Sequence, residues 1–176
     1  RNGPLDRLFS WFAFLRVSLM TALDVVSGFE QSAIGQFFVT VSPSFVVVFQ
    51  LVHIFGFLSI LTSITLLALR STGHFSIIKN DERFGKSLFA LAAAGVTATV
   101  LSGAALFLTS ATHYFTNAAM PYKLLLLVLA LVIEFSVFRR LFLRGDGRTS
   151  GGKFVALTLV LLWFATGFAG RAIGFV

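Results

Sequence analysis

The chain has 176 residues, of which 57% are hydrophobic and only 12% are charged. A soluble domain contains about a quarter charged residues, and a chain of this length cannot bury so large an apolar excess in one core, so the composition excludes an ordinary water-soluble protein. The net charge of +7 comes from basic residues at the ends of apolar runs, which favours membrane topology over nucleic-acid binding. The lack of cysteine excludes disulfides, thiolate metal sites and covalently attached haem.

Residues 1–42 form the first predicted unit, ahead of a membrane domain over residues 43–176. The apolar run Leu8–Leu23 contains Arg16 near its centre, and an arginine in the middle of a spanning helix costs about 2.5–3.5 kcal/mol. Most leucines and phenylalanines of this run fall near one helical face, which predicts an interfacial amphipathic helix rather than an additional span. A short helix from about Glu30 to Val39 is expected to lead into the membrane.

Four later segments meet the spanning rule of about twenty mostly apolar residues. The predicted spans are residues 44–69, 87–109, 122–143 and 154–173. The last connection between them is rich in glycine and polar residues, which cannot persist as lipid-facing helix. The sequence therefore predicts an all-α fold, an integral membrane four-helix bundle preceded by an N-terminal interfacial amphipathic helix.

Lysine and arginine are unevenly divided between the two sides of the predicted bundle. The first and third loops, with the adjoining end of the third span, carry nine of these residues, and the other side carries five. The positive-inside rule then predicts a multi-pass protein of the bacterial inner membrane. Loops 70–86 and 144–153 are expected in the cytoplasm, and the N-terminal segment and loop 110–121 in the periplasm.

His53 is the first ionisable residue inside a predicted span. It lies about seven residues into that span, roughly 10 Å below the periplasmic edge, and Gly56 one turn later would let a helix or a flat ligand approach closely. Polar groups at such depth are costly and often functional. A hydrogen bond to a neighbouring helix, axial ligation of haem, contact with a quinone, a proton relay and copper ligation all remain open for His53.

Three further residues fall on the same predicted side of the membrane as His53, namely His113, Lys123 and Arg171. Two imidazoles from different helices can hold the iron of a b-type haem in a four-helix bundle, with cationic side chains near the propionates. His53 and His113 are therefore candidate ligands of a haem iron, and Lys123 and Arg171 are candidate cofactor-binding residues. In the alternative interpretation His113 is an exposed loop residue and the two cations snorkel to the interface.

Glu134 is the only acidic residue inside a predicted span. A carboxyl group at that depth needs a hydrogen-bond partner from another helix or becomes protonated, and Thr62 or Ser63 is the expected partner. A structural hydrogen bond is the expected role, and a proton path is the alternative.

Small residues recur at a spacing of three or four in two spans, which predicts close helix packing. They are Gly95, Thr99, Gly103, Gly167 and Gly170. The sequence contains no nucleophile motif, phosphate-binding loop or metal-ligand spacing. No catalytic residue is assigned, and enzymatic activity of this chain alone is not expected.

Several short motifs follow one another in a defined order. They are Phe29–Gly35, Val52–Gly56 followed by Leu69-Arg70, Ser102-Gly103 with Phe107, the loop 114–123, and Trp163 with Gly170–Phe175. Together they resemble a bacterial four-helix integral membrane family that is described only as a domain of unknown function. In that family an amide-like residue usually stands at the position of Glu134. A histidine early in a span also resembles the copper-resistance membrane proteins and small b-type cytochromes.

Three functions are compatible with these features. The first is a small membrane subunit that anchors or helps assemble a larger complex, of redox or photosynthetic electron-transfer type, because the short loops leave little soluble catalytic surface. The second is an electron-transfer subunit that binds haem b or quinone near His53. The third is a transporter or copper-handling protein, disfavoured by unbroken spans and by only two methionines. Expected partners are lipid and other membrane or periplasmic subunits, and not nucleic acid.

Overall fold

A computed structural model describes residues 4–40, 43–72, 82–140 and 149–175, and these ranges contain helices and no strand. In chain order the helices are α1 (Pro4–Gln31), α2 (Ala33–Val39), α3 (Pro43–Thr72), α4 (Glu82–Leu108), α5 (Ala111–Thr116), α6 (Ala119–Val132) and α7 (Ser150–Ala172). Helix α6 continues directly into a π-helical segment, Ile133–Phe138. The expected all-α architecture is confirmed.

Four of the helices are long and apolar enough to cross a membrane. These stretches are Pro43–Arg70, Arg83–Leu108, Ala119–Val137 and Ser150–Ala172, and they match the four predicted spans. The third begins earlier than predicted because Pro121 lies in the first turn of α6, where its missing N–H breaks no helical hydrogen bond. The predicted end of that span, at 143, lies outside the described residues.

The N-terminal helix is longer than the predicted interfacial segment. Helix α1 has 28 residues and includes Glu30, so the short helix expected from Glu30 begins instead at Ala33. Ser32 separates the two, and its hydroxyl accepts a hydrogen bond from the Gly35 amide at 3.1 Å as the N-cap of α2. Helix α1 is not among the four stretches that could cross a membrane, and its interfacial position remains a prediction.

Helix α1 packs on α2 and on α5. The carboxylate of Glu30, near the end of α1, accepts hydrogen bonds from the Thr112 amide at 2.8 Å and from the Thr112 hydroxyl at 2.6 Å. These bonds lower the pKa of Glu30 below its ordinary value of 4.5. Elsewhere α1 leaves large apolar side chains exposed, Trp11 and Phe14 among them.

The spanning helices pack in the order α4, α3, α7, α6. Helix α3 contacts both α4 and α7, and α6 contacts α7, whereas α4 and α6 form no extended interface within the described ranges. The fully buried side chains of the core come mainly from α3 and α7, with Ile60, Ile64, Leu67, Leu159 and Trp163 among them. Helix α5 bridges the ends of α4 and α6.

Glycine sets the distance between α3 and α4. A Cβ atom added to Gly56 would lie 2.6 Å from the Thr99 hydroxyl and 2.9 Å from the Gly95 carbonyl oxygen, and one added to Gly95 would lie 2.7 Å from the Gly56 oxygen. The two backbones are therefore closer than any residue with a side chain permits. Gly167 has the same role against α3, because its added Cβ would lie 2.7 Å from the Phe57 ring.

Candidate functional site

A cavity of about 320 Å³ lies at the end of the bundle where α3 and α6 begin and α4 and α7 end. All four residues predicted to bind a cofactor line it, namely His53, His113, Lys123 and Arg171. The other lining residues are Gln50, Gly103, Leu106, Phe107, Tyr114, Met120, Gly170, Ile173 and Gly174. The structure thus brings the candidates from four helices together, and their binding of a cofactor stays a prediction.

Helical spacing explains how each helix contributes. Gln50 and His53 are three residues apart on α3, and Met120 and Lys123 are three apart on α6, so each pair shares one face of its helix. Asn117, in the turn after α5, fixes the end of α7: its side-chain amide donates to the Ile173 carbonyl at 3.0 Å, and its side-chain oxygen accepts from the Ala119 amide at 2.9 Å.

The hydrogen bond of His53 defines which of its ring nitrogens is available. Its Nδ1 lies 3.3 Å from the Ser102 hydroxyl oxygen, and that hydroxyl donates its only proton to the Ala98 carbonyl oxygen at 2.6 Å. With its proton on Ala98, Ser102 accepts from His53, an arrangement that favours the imidazole tautomer with a proton on Nδ1. In the neutral imidazole Nε2 then carries the lone pair, which can accept a hydrogen bond or coordinate a metal.

Two glycines predicted to pack helices lie against site side chains of the neighbouring helices. A Cβ on Gly103 would lie 3.0 Å from His53 Cε1, and a Cβ on Gly170 would lie 3.4 Å from both Cε and Nζ of Lys123. Glycine at these positions lets the imidazole and the ammonium group lie against the α4 and α7 backbones. The other small residues, Gly95, Thr99 and Gly167, lie at interfaces with α3.

Aromatic contacts form the rim of the cavity. The Tyr114 ring stacks on Phe107 with centroids 6.1 Å apart, and His113, which is exposed, meets Tyr114 edge-on at 5.6 Å. The Arg171 guanidinium lies 4.8 Å above the Phe175 ring, a favourable cation–π arrangement. No carboxylate is among the described lining residues, so the cavity offers hydrogen-bond donors and positive charge to a ligand.

The fit of a haem is limited by size and by the second ligand. The cavity volume of about 320 Å³ is near the lower end of the range of about 300–1,000 Å³ for ligand pockets, which suits a single ring better than a haem macrocycle. His53 is partly buried on α3, whereas His113 is exposed on α5. Within the described ranges no cluster of three or more His, Asp or Glu side chains is placed to hold a metal ion.

Glu134 lies away from the cavity, in the π-helical segment. It is 1% exposed, and its Oε2 accepts a hydrogen bond from the Trp163 indole N–H at 3.0 Å. The prediction that Thr62 or Ser63 is the hydrogen-bond partner of Glu134 is wrong. Thr62 is exposed, and the buried Ser63 hydroxyl has no hydrogen-bond partner. An indole N–H is a natural donor to a buried carboxyl, but the choice of Trp163 could not be predicted without knowing how α6 is rotated against α7.

Sequence reasoning missed Ser102 as a site residue. The signal in the sequence is the spacing. His53 lies three residues before Gly56 and Ser102 three residues after Thr99, so antiparallel helices that meet at Gly56 and Thr99 also place Ser102 beside His53. Tyr114 and Met120 were missed as well, since both belong to a segment expected to be a loop.

Comparison of the chain with models of known protein families, with curated proteins and with solved structures found no match. Its class therefore follows from its own fold, an all-α membrane protein with four candidate spans.

Proposed function

We propose that this chain is a membrane subunit of an electron-transfer complex and binds the head group of a quinone in the cavity. One observation carries the proposal: His53, His113, Lys123 and Arg171 line a single cavity with no carboxylate among its described lining residues. A quinone presents carbonyl oxygens that accept hydrogen bonds, and Lys123 and Arg171 are donors without acceptor capacity.

The tautomer of His53 favours a ligand that changes between quinone and quinol. Nε2 carries a lone pair and so accepts a hydrogen bond from a quinol hydroxyl, while Lys123 donates to the opposite oxygen. Leu106, Phe107 and Ile173 supply apolar wall for the ring beside the polar side chains of the cavity.

The proposal is tested by titrating a short-tailed quinone analogue into the detergent-purified chain and measuring heat of binding. We expect saturable binding that is lost in His53→Ala and weakened at least about tenfold in Lys123→Met, which removes a charge-assisted hydrogen bond. Ser59 is on the same helix as His53 but does not line the cavity. Ser59→Ala is therefore the matched control and should bind the analogue as wild type does. Absence of binding to the folded wild-type protein would overturn the proposal.

A reduced-minus-oxidised visible spectrum of the same preparation, expressed with ample haem, separates quinone from haem. A b-type absorbance band that disappears in His53→Ala would replace the quinone with a haem iron bound through Nε2. A blank spectrum together with quinone binding supports the proposal.

A role in anchoring or assembling a larger complex is favoured by α1. Seven of its large apolar side chains are more than half exposed: Leu8, Trp11, Phe14, Val17, Leu19, Met20 and Val25. Deletion of residues 1–27 keeps Glu30 and should leave quinone binding unchanged. On a native gel of solubilised membranes, the same deletion should release the chain from a larger assembly, and an unchanged band would remove this role.

A further inference from the structure

The ammonium group of Lys123 lines the cavity without a negative partner. Lys123 is partly buried, and a Cβ atom on Gly170 would lie 3.4 Å from its Nζ, so the ammonium group lies against the α7 backbone. Among the described residues it forms no ion pair or hydrogen bond, and no carboxylate lines the cavity. A positive charge withdrawn from water is costly unless a negative group compensates it. The described part of the chain leaves this charge uncompensated.

Arg171 adds a second positive charge to the same wall of the cavity. A Cβ atom on Gly174 would lie 3.6 Å from Nη1 of Arg171, so the guanidinium group extends along the end of α7 towards Gly174. Gly170 and Gly174 both line the cavity, and they are four residues apart, about one helical turn. Lys123 and Arg171 therefore lie against neighbouring turns of one wall.

The described carboxylates of α1 do not supply the missing negative charge. Helix α1 packs on α5, which contributes His113 and Tyr114 to the cavity lining. Glu30 is bound by Thr112, Asp24 is exposed, and neither lines the cavity. The surroundings of the two cations therefore suit an anionic group that comes from outside the chain.

The depth of the two cations matches that of a lipid phosphate. Lys123 is the fifth residue of the candidate span Ala119–Val137, and Arg171 is the last but one of Ser150–Ala172. At 1.5 Å per residue, both lie within about 6 Å of the end of an apolar stretch, where the hydrocarbon core of a bilayer meets its polar head groups. Guanidinium N–H groups pair with phosphate oxygens, and lysine binds phosphate as a point charge.

We propose that the cavity binds one phosphate group between Lys123 and Arg171, supplied by an anionic phospholipid or by free phosphate. A zwitterionic lipid brings a cationic amine as well, which the two cations repel, so an anionic lipid is selected over it. The phosphate group and the quinone head group both contact Lys123, and the two ligands therefore compete for the cavity.

Native mass spectrometry of the full chain in a non-ionic detergent tests the lipid source, with phosphatidylglycerol or phosphatidylcholine added. We expect one phosphatidylglycerol to bind with an affinity at least about tenfold above that of phosphatidylcholine. Lys123→Gln and Arg171→Gln should each weaken this binding at least about tenfold, because each removes a charge-assisted hydrogen bond.

Arg16→Gln is the matched control, because it changes the net charge by the same amount. Arg16 is exposed on α1 and does not line the cavity, so this variant should bind phosphatidylglycerol as wild type does. Where Lys123→Gln does not fold, Arg171→Gln carries the test, since the Arg171 side chain is exposed.

Calorimetric titration of the same preparations with inorganic phosphate tests the other source. The lipid source holds if phosphatidylglycerol binds through both cations and in preference to phosphatidylcholine. The free-phosphate source holds if inorganic phosphate binds through both cations. The proposal is overturned when neither result is found with folded protein. These measurements contain no quinone, so this proposal and the proposed function fail independently.

Discussion

Ser102 contacts the His53 ring without lining the cavity. Its hydroxyl donates to the Ala98 carbonyl, which favours the His53 tautomer with a proton on Nδ1. We expect Ser102→Ala to weaken quinone binding about tenfold, the lower end of the effect of losing a group that orients a ligand residue.

Rescue distinguishes this positioning role from a loss of packing. Ser102→Thr keeps the hydroxyl and should restore most of the affinity in the same titration, whereas a packing role predicts that threonine binds no better than alanine. Wild-type affinity in Ser102→Ala would show that the proton on Nδ1 is irrelevant to binding.

Glu30 makes the contact between α1 and α5 dependent on pH. The pKa of Glu30 is lowered by hydrogen bonds from the Thr112 side chain and amide, so the folded protein favours the charged form of this carboxylate. The resulting stabilisation of the α1–α5 contact is complete above the ordinary pKa of 4.5. It is lost as the pH falls through the lowered pKa of Glu30 in the folded protein.

Hydrogen exchange of the Thr112 amide should therefore accelerate as the pH drops below about 4.5, after correction for the intrinsic exchange rate. Glu30→Gln should show faster exchange already at neutral pH and no further pH dependence. Gln31→Ala, at the exposed neighbouring position, is the control. A corrected exchange rate that is flat with pH in the wild type would contradict the role of the carboxylate.

At the scale of helices, glycine substitutions separate close packing from helix propensity. Gly56→Ala places a Cβ atom 2.6 Å from the Thr99 hydroxyl and should destabilise the bundle by about 1–3 kcal/mol. Gly28→Ala, with nothing within 4 Å of its added Cβ, should be neutral or stabilising by up to about 1 kcal/mol. Thermal unfolding in one detergent compares the two, and equal midpoints would argue against glycine-dependent contact of α3 with α4.

The spanning helices were predictable because hydrophobicity is a local property of the sequence. The assembly of His53 with Lys123 and Arg171 followed from topology alone, since odd and even helix ends alternate between the two sides of the bundle. The partner of Glu134 was not predictable, because it depends on the rotation of α6 against α7. The π-helical turn and α5 were also missed, since neither changes the hydrophobic pattern.

At the scale of the whole molecule, the predicted orientation places the cavity on the periplasmic side. The chain has no cysteine, so a single introduced cysteine reports one position. A membrane-impermeant thiol reagent added to intact spheroplasts should label Ser110→Cys, beside α5. It should label Ser150→Cys, at the start of α7, only after permeabilisation. Wild type is the unlabelled control, and the reverse pattern would invert the topology.

The loose contact between α4 and α6 has a consequence for how the cavity fills. Three sides of the four-helix arrangement are closed by packed interfaces, and the fourth is bridged at the cavity end by α5. For the quinone proposed above, this side of the bundle is the expected entry from within the bilayer, with the hydrocarbon tail remaining among the acyl chains. Occupancy by such a quinone is then expected to follow its mole fraction in the lipid rather than its concentration in water, with the surrounding membrane as its reservoir.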